Sequence, residues 1–331
     1  MSLPNAICAI RWMARDTFRQ AVASGVFWLT LAVSGVCVLF CLSVGVVGDR
    51  PLQRPDEPPE FLPRGDPASG KARAAGVDVV GGDLTLAFGA VRLQLGRDAE
   101  DAVHFLQLFL AGGVADAVGL LLALVWTAGF LPGFLDPAAA SVLLAKPVPR
   151  WSLLAGKYLG VVAFVAFQAA VFVGGTWLAL GARTGVWDPA YLLCLPVLLL
   201  HFAIFYSVSA LIAVCTRSTA ACVFGSVLFW LLCWGMNYGR HAAMAAPEVE
   251  SASPALMALV EAGYWLLPKP ADFGILLFDA LGAGDCFGQL PEFQAAQDRG
   301  AFRPELAVPS SLAFAVVTLA LAGWQFALTD Y

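Results

Sequence analysis

Charge is the scarcest feature of this sequence. Only 13% of its 331 residues are Asp, Glu, Lys or Arg, against 60% hydrophobic, whereas an average soluble domain is roughly a quarter charged. That deficit leaves too little polar side chain to coat a solvated globule of this size. Cysteine occurs eight times, but no C-x-x-C pair is present and all but Cys286 sit in or beside apolar runs, where the thiol behaves as a small hydrophobe. The spacing argues against a disulfide framework and against a zinc site. A phosphate-cradling loop is missing as well. The one superficial match, Gly156-Lys157, has Trp151 where the first glycine belongs and Tyr158 where Ser or Thr belongs, so this chain does not hold ATP by that device. No Ser/His/Asp or Cys/His constellation is discernible, and no catalytic residue is expected.

Long apolar runs are what the chain has instead. Several exceed the ~18 residues that mark a membrane span. Six are expected as transmembrane helices, over about 22–47, 105–131, 158–180, 191–214, 220–236 and 311–328. The first is too long for the ~7–15-residue core of a cleavable signal. Before it, Arg11, Arg15 and Arg19 recur every fourth residue beside Ile10, Met13, Ala14 and Phe18, the pattern of a helix lying in the headgroup plane.

Orientation follows from the short loops. With the N-terminus inside, Arg11, Arg15, Arg19, Lys146, Arg150, Lys157 and Arg217 flank the inner ends, while the long outer segments are rich in carboxylates. Cation bias in short flanking loops faces the cytoplasm, so both termini are expected there, in the plasma (inner) membrane. The inner cations are too few for a nucleic-acid footprint, which leaves membrane lipid as the surrounding partner.

Two extracytoplasmic segments, 49–104 and 239–308, are long. The first opens with a Pro-rich, charged linker. Then Leu84, Leu86 and Phe88 alternate before Gly89, and Val91, Leu93 and Leu95 after it, which reads as a small β-hairpin. Asp98 is a good N-cap for a helix running into the second span. In the second segment Ser253-Pro254 starts a helix too short to cross a bilayer, with further short helices near Phe273–Leu281 and Glu292–Gln297. The expected fold is therefore an all-α polytopic membrane protein: six transmembrane helices, an N-terminal interfacial helix, the hairpin and short outer helices. All of this belongs to one domain, 1–331.

The inner stretch LLAKPVPRWSLLAGKYLG (143–160) interrupts the apolar sequence with a stiff, basic corner. Asp136-Pro137 starts a short helix, and it must end near Lys146 because the residue before a proline leaves the α region. Pro147-Val148-Pro149 is then an extended strut, and a new helix starts at Arg150. The plain reading is a basic inner loop of the kind any multispanning protein carries. More specifically, Lys146, Pro147, Arg150, Gly156, Lys157 and Tyr158, with a weaker echo in LLPKPADFG (266–274), resemble the cytoplasmic loop of ABC-2 type permeases, closest to the multi-copper enzyme maturation branch. That resemblance implies a non-catalytic permease subunit. It implies an ATPase-coupling loop over 132–157 carrying Asp136, Pro137, Lys146, Pro147, Pro149, Arg150 and Lys157, and a separate ABC ATPase subunit that binds ATP and Mg. No cofactor is expected on this chain itself, and with six spans a second permease chain, identical or related, should complete the channel.

Inside the spans, Asp116 and His201 form a candidate polar site. The functional reading is a pathway or proton-relay carboxylate; the plainer one is a hydrogen bond between neighbouring helices. Met236, His241 and Met244 share no clean helical face, so no metal site is expected there. Two rival readings follow: an ATP-independent carrier or intramembrane enzyme using Asp116 and His201, or a scaffold for an extracytoplasmic partner.

Overall fold

A break at Ser24 separates the first two helices. The computed structural model describes residues 3–51, 80–94, 99–135, 149–245, 254–283, 291–298, 300 and 302–329. Helix α1 runs over Leu3–Ala23 and α2 over Gly25–Ser43. Between them Ser24 is extended, at φ −79° and ψ 150°, and its hydroxyl donates to the Ala21 carbonyl. A serine bonded to its own local backbone offers the chain an alternative to helix.

The first apolar run is shorter as a helix than its composition suggests. From Gly45 to Pro51 the chain is a strand, β1, antiparallel to β2 (Val80–Leu86), which pairs in turn with β3 (Val91–Gln94). Val46 and Val47 are β-branched and prefer the pleated state when a partner edge is offered. The Thr85 hydroxyl donates to Gly45 O at 2.8 Å and Arg183 Nε to Val44 O at 3.3 Å, tying the sheet to the end of the bundle. Phe88 does not continue β2: it lies in the turn at φ 56°, followed by Gly89 at φ 94°.

Six helices are long and apolar enough to cross a membrane: Gly25–Ser43, Ala102–Phe134, Arg150–Thr184, Pro189–Thr216, Thr219–Ala245 and Glu305–Leu328. The second is built in pieces. After α3 (Ala99–Leu108) the backbone widens into a π-helix over Phe109–Gly119, then returns to α4 (Leu120–Thr127) and the short α5 (Phe130–Phe134). Helix α6 covers Arg150–Thr184 and α7 covers Cys194–Thr216 after a 3₁₀ turn at Pro189–Leu193. Then come α8 (Thr219–Ala245), α9 (Pro254–Leu266), α10 (Pro270–Ala280), α11 (Pro291–Asp298) and α12 (Pro304–Leu328).

The fourth span is the central post of the bundle. Its most apolar window is 67% buried, against 17–39% for the other five, and α6, α8 and α12 all pack on α7. Phe202, Phe205 and Tyr206 of α7 meet Leu124 and Leu131 from the second span, Val161 from the third and Phe326 from the sixth in one core. Trp28, Val36, Phe224, Leu228, Val316 and Trp324 are exposed, as side chains facing lipid should be, since burial in hydrocarbon and in protein core are nearly equivalent for them.

Helix α8 runs past Met236, where the apolar run ends, and stops only at Ala245. The extension carries Arg240 and His241, and both find carboxylates on the helices that follow. Charges that are paired need not leave the bundle.

Candidate functional site

Of the expected coupling residues, Asp136, Pro137, Lys146 and Pro147 lie outside the described residues. Pro149 is the extended N-cap of α6. Arg150 reaches across to the end of α12, where Nη1 donates to Thr329 O at 2.8 Å and to Ala327 O at 3.3 Å. A guanidinium there satisfies carbonyls that a helix end leaves free and complements its negative pole. Lys157 is only 4% exposed. Its Nζ donates to Gln20 Oε1 at 2.9 Å and lies 5.9 Å from the centre of the Phe134 ring. These two cations are thus engaged within the chain, one holding α12 and the other α1.

The glycines of the same motif act with Lys157. A methyl group on Gly156 would fall 2.7 Å from Met13 Cβ and 2.9 Å from Ile10 O, and one on Gly160 would fall 2.6 Å from Thr17 Cβ and 2.9 Å from Ala14 O. Gly156-x-x-x-Gly160 is therefore the platform on which the backbone of α1 rests, the close approach that small residues four apart allow. Tyr158 points the other way and donates to Ala203 O of α7 at 2.6 Å. By contrast, Gly112, Gly133 and Gly174 have open space where a side chain would go.

Asp116 and His201 come together. Asp116 sits in the π-helical segment and His201 on α7, with Nδ1 2.6 Å from the Asp116 Oδ1. The histidine is buried between two rings: Phe273 of α10 stacks on it at 5.1 Å and Phe205 meets it edge-on at 5.3 Å. Its Nε2 is buried without a hydrogen-bond partner among the described residues. Asp116 lines a cavity of about 430 Å³ whose walls include Trp230 and Trp234 of α8, Gly274 and Phe278 of α10 and Phe293 of α11. An ionisable pair within a span is a candidate functional site, and π-helical turns recur at functional sites.

A second polar cluster joins α8, α9, α10 and α12. Asp272, with no exposed surface, is its hub. Oδ1 lies 2.7 Å from His241 Nε2 and accepts from Asn237 Nδ2 at 2.9 Å, while Oδ2 accepts the Tyr264 hydroxyl at 2.8 Å. The Asp272 backbone N–H donates to Asn237 Oδ1 at 3.0 Å. Beside it Arg240 pairs with Glu261 (Nε to Oε2 2.7 Å) and covers the Tyr264 ring at 3.9 Å. Lys269 Nζ donates to Ser310 Oγ of α12 at 2.7 Å and lies 4.8 Å from the Tyr264 ring centre. Burial pushes the Lys269 ammonium below its ordinary range and Arg240 adds to that, while Asp272 pulls it back up. Burial works to raise Glu261, but hydrogen bonds from Arg240 and Trp265 and the Arg240 charge hold it lower than usual. His241 is bonded to Asp272, while Met236 packs against Gly263.

This second cluster was missed in sequence, although Lys269 and Asp272 lie in LLPKPADFG. The available signal was a run of ionisable residues, Arg240 and His241, directly after an apolar helix with an acid-bearing helix to follow. No curated protein matches the chain. The family model described as ABC-2 family transporter protein matches residues 11–327. That span begins within α1, takes in the first five apolar helices and the sixth as far as Ala327, with both buried polar clusters, and the chain belongs to the ABC-2 transporter family.

Proposed function

We infer that this chain is the membrane-spanning permease subunit of an ABC transporter, moving a substrate with ATP hydrolysed by a separate ATPase subunit. The observation that carries the reading is the family match from residue 11 to residue 327 over six apolar helices. The segment 132–157 is the ATPase contact, ATP and Mg reside on the partner, and a second permease chain completes the channel. The chain lies in the plasma membrane with α1 in the inner headgroup plane, both termini cytoplasmic, and the β1–β3 sheet and α9–α11 on the outer side. The start of α6 suits this arrangement. It is bonded to α1 and α12, so motion delivered at Pro149 reaches three helices at once.

Co-expression with an ABC ATPase from a neighbouring gene should give a complex that survives purification. Lys146→Glu should lower its ATPase activity by about tenfold, the effect of a like charge at a docking contact. Arg150→Glu should lower it too, but also loosens α12, so Lys146→Glu is the cleaner arm. A stable complex with unchanged ATPase activity in Lys146→Glu removes the loop from the coupling role.

The 2.6 Å contact between Asp116 and His201 favours one second reading, a proton-linked carrier that works without ATP. In that case Asp116→Asn abolishes transport in cells lacking the ATPase gene, while the parent chain still transports there. Loss of transport on deleting the ATPase gene alone rejects it.

A further inference from the structure

We propose that the cavity beside Asp116 is a binding site for a lipophilic monovalent cation. Its volume, about 430 Å³, falls in the range of ligand sites. Asp116 is the only charged side chain among its described lining residues, and Trp230, Trp234, Phe278 and Phe293 supply aromatic surface. A single carboxylate among aromatic rings is the chemistry that recognises an organic cation: the rings attract the charge through their faces, and the acid supplies the counter-charge.

The pair is arranged to leave that carboxylate available. His201 occupies Oδ1, and the Asp116 side chain keeps 12% of its surface exposed while His201 keeps 1%. Apart from His201, no cation-forming side chain among the described residues is bonded to the carboxylate. The histidine is fixed from the other side by Phe273, so it holds the acid's position without filling the cavity. Arg240, on the same helix as Trp230 and Trp234, pairs with Glu261, and Lys269, just before α10, bonds Ser310 and lies over the Tyr264 ring.

The site's role in transport rests on the permease reading, but its occupancy does not. The probe is tetraphenylphosphonium, measured by equilibrium dialysis on the purified chain in phosphatidylglycerol nanodiscs without any ATPase. Saturable binding is expected, weakened by about tenfold or more in Asp116→Asn. Gly274→Leu keeps the carboxylate and enters space that is empty around Gly274; it should fill the cavity and weaken binding as much, with unchanged gel-filtration behaviour. The neutral analogue triphenylphosphine oxide should bind the parent and Asp116→Asn alike. Phosphatidylcholine in the nanodisc separates the two sources of such a cation: displacement of the probe assigns the site to a lipid headgroup, and retention assigns it to a free solute. Absent probe binding, equal affinity in Asp116→Asn, or a neutral analogue held as tightly as the cation overturns the assignment. Any of these results leaves the ATPase co-purification unaffected.

Discussion

Asp272→Ala should cost the folded chain about 3–5 kcal/mol, the range for removing one partner of a buried charged pair. This residue is fully buried, and its two oxygens serve His241, Asn237 and Tyr264. Truncation takes the carboxylate from three polar side chains of α8 and α9, in a region where the lost bonds cannot be replaced by bulk water. It also removes the nearest carboxylate from Lys269, which is 1% exposed. The measurement is thermal unfolding in detergent, followed by fluorescence-detected gel filtration, with the midpoint expected to fall by many degrees. Asp272→Asn separates hydrogen bonding from charge. An asparagine still offers one oxygen to His241 and Asn237, and its amide can donate to the Tyr264 hydroxyl, so it should retain much of the stability. Equal midpoints for Asp272→Ala and the parent chain would remove the cluster from any structural role.

The consequence reaches beyond stability. α10 carries Asp272 and Phe273 side by side, the first bonded to His241 of α8 and the second stacked on His201 of α7. The short helix is pinned between the two polar sites, and it forms part of the cavity wall through Gly274 and Phe278. Loosening Asp272 should therefore also disturb the surroundings of Asp116.

How much of this was legible in sequence depends on range. Six apolar helices follow from local composition, because a span needs nothing beyond its own residues to satisfy its backbone. The end of the first span was not legible: Val46 and Val47 are as suited to hydrocarbon as to a strand, and the strand they pair with begins only at Val80, with Leu84 and Asp83 opposite them. The Asp116–His201 contact spans 85 residues, so two polar residues in two spans were visible while their pairing was not. Arg240 opens the segment 239–308, expected outside the membrane, and nothing next to it in sequence shows its partner. Its acid, Glu261, sits 21 residues later on another helix. Gly156, Lys157 and Tyr158 carry the resemblance to a coupling loop, but nothing in that motif shows that Gly156 and Gly160 rest against the chain's own N-terminal helix.

That docking makes the second large effect. Gly160→Leu should drive α1 off the third span, because the added carbon meets the Ala14 carbonyl at 2.9 Å as well as Thr17 Cβ at 2.6 Å, and backbone cannot swing aside as a side-chain end can. Overpacking of this kind typically costs about 1–3 kcal/mol. Here the strain can be relieved by releasing one helix rather than unfolding the bundle. The buried face of α1, with Ala9, Met13, Thr17 and Ala21, would then be uncovered. A single cysteine at Thr17, in a background with the native cysteines replaced, reports this directly. Thr17 has no exposed surface in the parent, so a soluble maleimide should label it slowly there and about tenfold faster or more once an opening equilibrium shifts by ~1.4 kcal/mol. Gly174→Leu is the matched control, since it lies on the same helix with nothing within 4 Å of an added carbon. Equal labelling rates in the two variants would show that α1 does not rest on Gly160. Faster labelling confined to Gly160→Leu, with ATPase activity lost in the co-expressed complex, would tie α1 and the start of the third span together as one moving body.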